Sequence, residues 1–149
     1  MQNDPAPAAA RAPLPIVQSI PHAGFGVPYQ VVESLRLTAR DIYNDCDLWA
    51  DQLYDFAHPD LASDDGAERT GCGALAVVSM DIARVLIDVN RRPEDLQDKD
   101  GMVKTASSYG VSNYSRSPAK DEILALREYY YAPYHRRLEA ALTAHKDRA

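Results

Sequence analysis

Short apolar runs recur along this chain, and three of them have the length and composition of β-strands. Ile16–Ile20 is rich in apolar and β-branched residues and stops at Pro21, which indicates a short strand. Ala74–Met80 and Val85–Val89 are similar runs, and the polar segment Asp81–Arg84 between them predicts a turn. Their nearly continuous apolar character is typical of a sheet that is covered on both faces.

Two stretches have the periodicity of amphipathic helices instead. Over Ile42–Ala57, apolar side chains recur every three or four residues after the capping residues Thr38–Asp41. The same spacing returns from Ala119 and is interrupted by Pro133, which should kink the helix or divide it into two. This order of strands and helices predicts an α/β sandwich.

Three segments show neither period. Met1–Pro15 is rich in alanine and proline and lacks the apolar core of a signal peptide, so we interpret it as a flexible tail. His58–Gly73 is rich in Asp, Gly and Ser and is predicted to be a loop. Arg92–Pro118 is longer still, and an aperiodic segment of this length is usually functional or disordered. Without internal repeats, residues 16–149 are expected to form one domain.

Composition and charge exclude several classes of function. Hydrophobic residues make up 46% of the 149 residues, enough for an ordinary core. The net charge of −6 argues against a nucleic acid or an acidic membrane surface as partner, because both require a cationic surface. No apolar run approaches the ~18 residues of a membrane span. Two distant cysteines do not form a disulfide framework, so we expect a reducing, cytoplasmic environment.

The first candidate metal ligand is His22, which lies in a Pro/Gly turn directly after the first predicted strand. Neutral imidazole binds Zn²⁺ at ~2.0–2.1 Å, although a lone histidine in a turn is commonly an ordinary surface residue. Asp45 and Asp47 are candidate partners, but in one continuous helix they point roughly 200° apart and cannot both bind one ion. Asp47 lies nearer the apolar stripe and is preferred. Both also fit as solvated carboxylates near a helix N-terminus.

A candidate anion site follows the third predicted strand. Asn90 and Arg91 come directly after it, where open α/β sheets bind ligands in the crevice at the strand ends. Arginine binds a carboxylate through two parallel hydrogen bonds that lysine cannot reproduce. The alternative is a surface Arg91 that pairs with Asp88 or Glu94.

Other reactive residue types fit structural roles. Cys46 lies between two carboxylates, which raise the pKa of a thiol and make it a poor nucleophile. Cys72 has no histidine near it in sequence. Tyr130 and Tyr134 have helical spacing and are expected to pack in the core.

Five segments, taken in order, resemble the N-formylglutamate amidohydrolase family. They are SIPHAG at Ser19–Gly24, DCDLWADQLYDFA at Asp45–Ala57, ARVLIDVNRRP at Ala83–Pro93, DGMVKT at Asp100–Thr105 and YYYAPYHRRL at Tyr129–Leu138. Each motif is modest alone, but five in the family's order form a strong signal from about Val17 to Ala144. The resemblance implies a three-layer αβα sandwich of the zinc-dependent exopeptidase (phosphorylase/hydrolase-like) type.

The resemblance also implies an activity, namely hydrolysis of N-formyl-L-glutamate or a related N-acyl amino acid, which yields formate and glutamate in histidine degradation. His22 falls on a Zn²⁺-ligand position, and Asp47 is preferred for the second. Asn90 and Arg91 fall on a pair that holds a substrate carboxylate, and Arg84 matches an arginine that assists.

One feature departs from the family pattern. Family members continue into an Asp-x-His-Ser segment that supplies the third metal ligand, and a later glutamate is the general base. No Asp-x-His-Ser segment occurs in this chain, which therefore resembles the N-terminal half of a catalytic domain, apparently incomplete at its C-terminus. The general base is expected beyond residue 149, and His135 and His145 have no evident reason to replace the missing ligand. The alternative is a truncated or catalytically silent member that binds small acidic metabolites without turnover.

Overall fold

The computed structural model describes residues 14–53, 74–94, 97–98 and 100–147, which form a mixed α/β arrangement. The strands are β1 (Leu14–Ile20), β2 (Ala74–Ser79), β3 (Gln97–Asp98) and β4 (Val103–Lys104). The α-helices are α1 (Ala39–Asn44), α2 (Ala50–Leu53), α3 (Lys120–Leu126) and α4 (Ala132–His145). A 3₁₀ helix spans Tyr29–Ser34, and a π-helical turn spans Arg127–Tyr131. Across these described ranges, no helix is long and apolar enough to cross a membrane.

The parallel pair formed by β1 and β2 confirms two of the three predicted strands. β1 begins at Leu14, so Leu14 and Pro15 belong to the strand and the predicted tail boundary is corrected by two residues. The register shifts between Leu14 and Val17, where Pro15 has no N–H to donate to the ladder. The rest of the predicted tail lies outside the described residues. Because the strands are parallel, both carboxyl ends lie at one edge of the sheet.

The prediction of a third strand over Val85–Val89 is wrong. The carbonyl of Ala83 accepts from Leu86 N at 2.9 Å and from Ile87 N at 3.1 Å, so the chain turns here in helical fashion. Ile87 also makes an isolated antiparallel bridge with Val103. Every residue of this segment is at most 2% exposed. A short run without an exposed face has no polar alternation, so the sequence pattern cannot separate a strand from a buried turn.

The single helix predicted over Ile42–Ala57 is corrected to two short helices. α1 starts at the predicted capping residues and ends at Asn44, and α2 begins at Ala50. Trp49 has a φ of 63°, a left-handed conformation that cannot continue a right-handed helix. The end of this predicted helix and the loop predicted over His58–Gly73 lie outside the described residues.

The C-terminal helical run continues through Pro133 instead of separating into two helices. The interruption is a π-helical turn, in which Ala132 N donates to Arg127 O five residues back. A wider turn immediately before Pro133 accommodates a residue that has no N–H for a regular α-helix. Tyr134 is buried as predicted, and Tyr130 packs partly buried against the core.

Arg92–Pro118 is not simply a loop, because it contains β3, β4 and part of the core. Met102 and Val103 are fully buried. Asn113 is also buried, and its side-chain amide donates to Val85 O at 2.6 Å and to Lys104 O at 2.9 Å. These contacts join positions that are distant in sequence, so local periodicity does not predict them.

Candidate active site

The loops that follow β1 and β2 approach each other closely at Gly24. A Cβ atom on Gly24 would lie 2.3 Å from the carbonyl carbon of Asp81, so only glycine fits here. Gly26 N donates to Asp81 O at 2.7 Å, and Ala83 N donates to Gly26 O at 3.0 Å. The turn that carries His22 is therefore held against the buried segment that follows β2.

His22 is a buried imidazole placed between two carboxylates. Its Nδ1 lies 3.2 Å from Asp47 Oδ2, and its Nε2 lies 2.9 Å from Asp88 Oδ1. The backbone N–H of Asp47 also donates to His22 O at 3.2 Å. The two carboxylates have different surroundings, because the Asp47 side chain is 52% exposed and that of Asp88 only 1%.

Each oxygen of Asp88 has its own set of partners. Oδ1 accepts from His22 and from the backbone N–H of Asn90 at 3.0 Å. Oδ2 has ion-pair contacts but no hydrogen bond within the described part of the chain. Three cationic groups face it: Lys104 Nζ at 3.4 Å, Arg91 Nε at 3.5 Å and Arg84 Nη2 at 3.8 Å.

The pKa of the Asp88 carboxyl reflects these contacts. Burial by itself would raise this pKa, because a charged group loses its hydration. The hydrogen bond and charge of His22, the N–H of Asn90 and the charge of Lys104 outweigh burial and hold the pKa well below its usual value. Asp88 is therefore an ionised, buried carboxylate at neutral pH.

The predicted substrate-binding residues lie around these carboxylates. Arg84 bridges the two, with Nη1 3.1 Å from Asp47 Oδ1 and Nη2 facing Asp88. The Arg91 side chain pairs with Asp88 and is 43% exposed. This is the pairing offered above as the alternative to a binding role, yet it puts Arg91 beside the carboxylate that contacts His22. Asn90 contributes its backbone N–H, and the residue itself is exposed.

Asp45 and Cys46 lie beside the site but face other groups. Asp45 is buried, and its carboxylate accepts from Ser108 N at 2.6 Å and Ser108 Oγ at 2.8 Å. The Cys46 thiol donates to Gly24 O at 3.2 Å. Burial, with the charges of Asp45 and Asp47, raises the pKa of this thiol to about 11, which suits a structural role. Cys72 lies outside the described residues.

The C-terminal helix fixes the backbone of the site through its polar side chains. The hydroxyl of Tyr131 donates to Arg91 O at 2.7 Å, and His135 Nε2 donates to Val89 O at 2.9 Å. His135 is thereby engaged with the backbone, away from the role of a substitute metal ligand. The other histidine considered, His145, is the last residue of α4.

A cleft of about 260 Å³ opens beside the histidine. Its walls come from the end of β1, the turn after it, the segment before α2 and the first residue of α2: Gln18, Ser19, Ile20, Pro21, His22, Asp47 and Ala50. The cleft therefore adjoins the Nδ1 side of the imidazole, where Asp47 lies.

The separation of His22 and Asp47 fits two ligands of one tetrahedral metal ion. Two such ligands, each at ~2.0–2.1 Å from Zn²⁺, are ~3.3 Å apart, close to the 3.2 Å between Nδ1 and Oδ2. Asp88 lies on the opposite ring nitrogen and cannot join them. Among the residues that the structure describes, no group of three His, Cys, Asp or Glu side chains is placed to hold a metal ion.

Sequence reasoning missed two residues of this cluster, Asp88 and Lys104. The sequence indicates Asp88 only as a possible partner for Arg91. Lys104 lies in the family segment DGMVKT, but nothing local indicates that its buried amine faces a carboxylate sixteen positions earlier.

A family model for N-formylglutamate amidohydrolase matches residues 14–149. The chain belongs to this family. A crystal structure of N-formylglutamate amidohydrolase from Ralstonia eutropha JMP134 has a similar fold, with a TM-score of 0.70 and 19% sequence identity over 93% of this chain. This chain spans about half of that structure, 51% of its length. A search of curated proteins gives no match.

Membership of the N-formylglutamate amidohydrolase family confirms the resemblance drawn from the five segments. The geometry adds a physical reason for three of them. SIPHAG supplies His22 and the glycine that permits the close approach of the two loops. ARVLIDVNRRP supplies the carboxylate on the far side of His22, and YYYAPYHRRL holds the backbone of Val89 and Arg91.

Proposed function

We propose that this chain forms the first half of a zinc-dependent amidohydrolase site that acts on N-formyl-L-glutamate or a related N-acyl amino acid. Membership of the family supports a hydrolase in general. The observation that carries the proposal is the pair His22 and Asp47, which lies at a cleft and beside a cluster of arginines.

The metal would be held by His22 Nδ1 and Asp47 Oδ2, whose separation suits a tetrahedral ion. When bound, zinc supplies a water with a pKa of ~7 and polarises the amide carbonyl. The third ligand and the general base are proposed to come from sequence beyond residue 149, as the family resemblance implies. The three-layer αβα fold of the zinc-dependent exopeptidases and a cytoplasmic place in histidine degradation belong to the same proposal.

The arginines account for an acidic substrate. Arg91 is 43% exposed, so a solute can reach its guanidinium, which binds carboxylates with two parallel hydrogen bonds. Arg84 lies between Asp47 and Asp88 and adds positive charge near the proposed metal position. A carboxylate held at Arg91 and Asn90 would fix the amide of the substrate relative to His22 and Asp47, which is how positioning lowers an entropic barrier.

The experiment measures zinc binding by calorimetry and formate release from N-formylglutamate. His22→Ala and Asp47→Asn should each abolish zinc binding, because the single ligand that remains in this chain cannot hold the ion. Asp45→Asn is the matched control, since Asp45 is a carboxylate of the same loop whose partner is Ser108.

For the 149-residue chain we expect weak zinc binding, zinc-dependent binding of N-formylglutamate, and formate release at or near background. A general base typically contributes ~10²–10⁴ in rate, and the proposal assigns this role to no residue of the chain. Zinc binding that survives both substitutions would refute the metal centre. Zinc binding without any affinity for N-formylglutamate would refute the substrate assignment.

A further inference from the structure

The imidazole of His22 has two possible metal-binding nitrogens, and the groups around them differ. On the Nε2 side, Asp88 is buried and its oxygen is 2.9 Å away. On the Nδ1 side, Asp47 is half-exposed, its oxygen is 3.2 Å away, and the cleft begins there. We propose that Asp88 is a positioning residue that keeps the Nε2 proton of His22 and so directs Nδ1, together with Asp47, to the metal.

The two contacts of the imidazole differ in strength. A hydrogen bond to an ionised carboxylate is stronger in a buried environment than in water, because less solvent screens it. The shorter and fully buried contact is the one from Nε2 to Asp88. The ring proton is therefore retained on Nε2, and the lone pair is directed from Nδ1 toward the cleft.

The orientation of Asp88 is itself fixed by its other partners. Its Oδ1 is held by the N–H of Asn90, while Oδ2 faces the three cations. Rotation of the carboxylate away from His22 would break the hydrogen bond with Asn90 and move Oδ2 from Lys104. The position of Asp88 Oδ1, which accepts from His22 Nε2, is thus fixed by contacts within the protein.

Metal-binding histidines share a common pattern of hydrogen bonding. Such a histidine usually donates its second ring N–H to a carboxylate, which fixes its tautomer and orientation. The contact between His22 Nε2 and Asp88 Oδ1 has this geometry. The inference rests on the proposed zinc site, but it concerns the imidazole of this chain and has a readout of its own.

The test is ¹⁵N NMR of the histidine ring nitrogens in the full 149-residue chain. At a pH where the ring is neutral, His22 should carry its proton on Nε2. Addition of Zn²⁺ should shift Nδ1 and leave Nε2 protonated. A wild-type His22 with its proton on Nδ1, or a zinc-induced shift at Nε2, would overturn the inference.

Asp88→Asn provides the second arm. Its amide oxygen would be drawn to the three cations, which turns the NH₂ group toward His22 and favours the opposite tautomer. We expect the ring proton to move to Nδ1 and the affinity for Zn²⁺ to fall about 10–100-fold. Asp45→Asn, the same change in another buried carboxylate, should leave the tautomer and the affinity unchanged. An unaltered tautomer in folded Asp88→Asn would contradict the role of Asp88.

The outcomes separate this inference from the proposed function. If His22 has the expected tautomer but the protein neither binds zinc nor N-formylglutamate, the proposed function fails and the role of Asp88 toward His22 remains. If zinc binds through Nε2, the metal site survives and the positioning role of Asp88 fails.

Discussion

The two sides of the His22 ring present the same chemical group in opposite environments. Asp47, on the solvent side, is 52% exposed, borders a cleft and shares its carboxylate with Arg84. Asp88, on the core side, is 1% exposed and lies among cations and a backbone N–H. The exposed carboxylate can exchange its protein partner for a ligand at small cost. The buried one cannot, and this difference divides the candidate ligand from the residue that orients it.

The strongest test of this comparison removes each carboxylate in turn. Asp88→Ala leaves the buried amine of Lys104 without its counter-charge, and breaking such a pair costs about 3–5 kcal/mol. Asp47→Ala removes a solvent-exposed pair with Arg84 and should cost less than about 1 kcal/mol. Urea unfolding at neutral pH measures both values. Equal losses would show that the two sides do not differ in the way their burial indicates.

A second substitution tests the close approach of the loops that follow β1 and β2. Gly24→Ala places a Cβ atom against the backbone of Asp81, and the forced separation of the two loops should cost about 3 kcal/mol. Gly110→Ala is the contrasting variant, because Gly110 has a φ of 79° but open space around it, so backbone strain alone should cost about 1 kcal/mol. Thermal and urea unfolding measure the two. A smaller loss of stability for Gly24→Ala than for Gly110→Ala would contradict the close packing of the loops that follow β1 and β2.

The third prediction concerns pH and the core side alone. The folded-state pKa of Asp88 lies below the ordinary value of 3.8, so its contribution to stability is complete above that value and is lost as the pH falls through the folded-state pKa. The difference in unfolding free energy between the wild type and Asp88→Asn should therefore be full at neutral pH and shrink on acidification below about pH 4. Unfolding curves across this range measure it, and a constant difference would refute the assignment.

The smallest effect on stability is expected at Arg91, the most exposed of the three cations around Asp88. Arg91→Lys retains the positive charge near Asp88 at a side chain that is 43% exposed, so the unfolding free energy should change by less than about 0.5 kcal/mol. Lysine cannot offer two parallel hydrogen bonds, so zinc-dependent binding of N-formylglutamate should weaken several-fold. Calorimetric titration measures the affinity. Unchanged affinity would remove Arg91 from the proposed substrate site.

Asp47, and not Asp45, lies beside His22, but for a different reason from the one that the sequence suggested. The sequence favoured Asp47 because of its place on one continuous helix, but α1 ends at Asn44 and the two aspartates lie in the segment before α2. Asp47 adjoins His22 because its N–H bonds to His22 O, while Asp45 turns to Ser108. Local periodicity cannot include Ser108, which lies sixty-three residues further along the chain.

Local patterns and ordered motifs were enough to predict the strands that pair as β1 and β2, the helical C-terminal run, the family and His22 as a candidate site residue. The groups that surround the imidazole follow only from the tertiary structure. The apolar residues next to Asp88 and Lys104 in sequence are buried. These segments therefore have no exposed face, and the spacing of their polar residues does not show where the Asp88 and Lys104 side chains point. Long-range packing of the turn after β1, the segment after β2 and strand β4 brings Asp88 to His22 and Lys104 to Asp88, and such contacts leave no period in the chain.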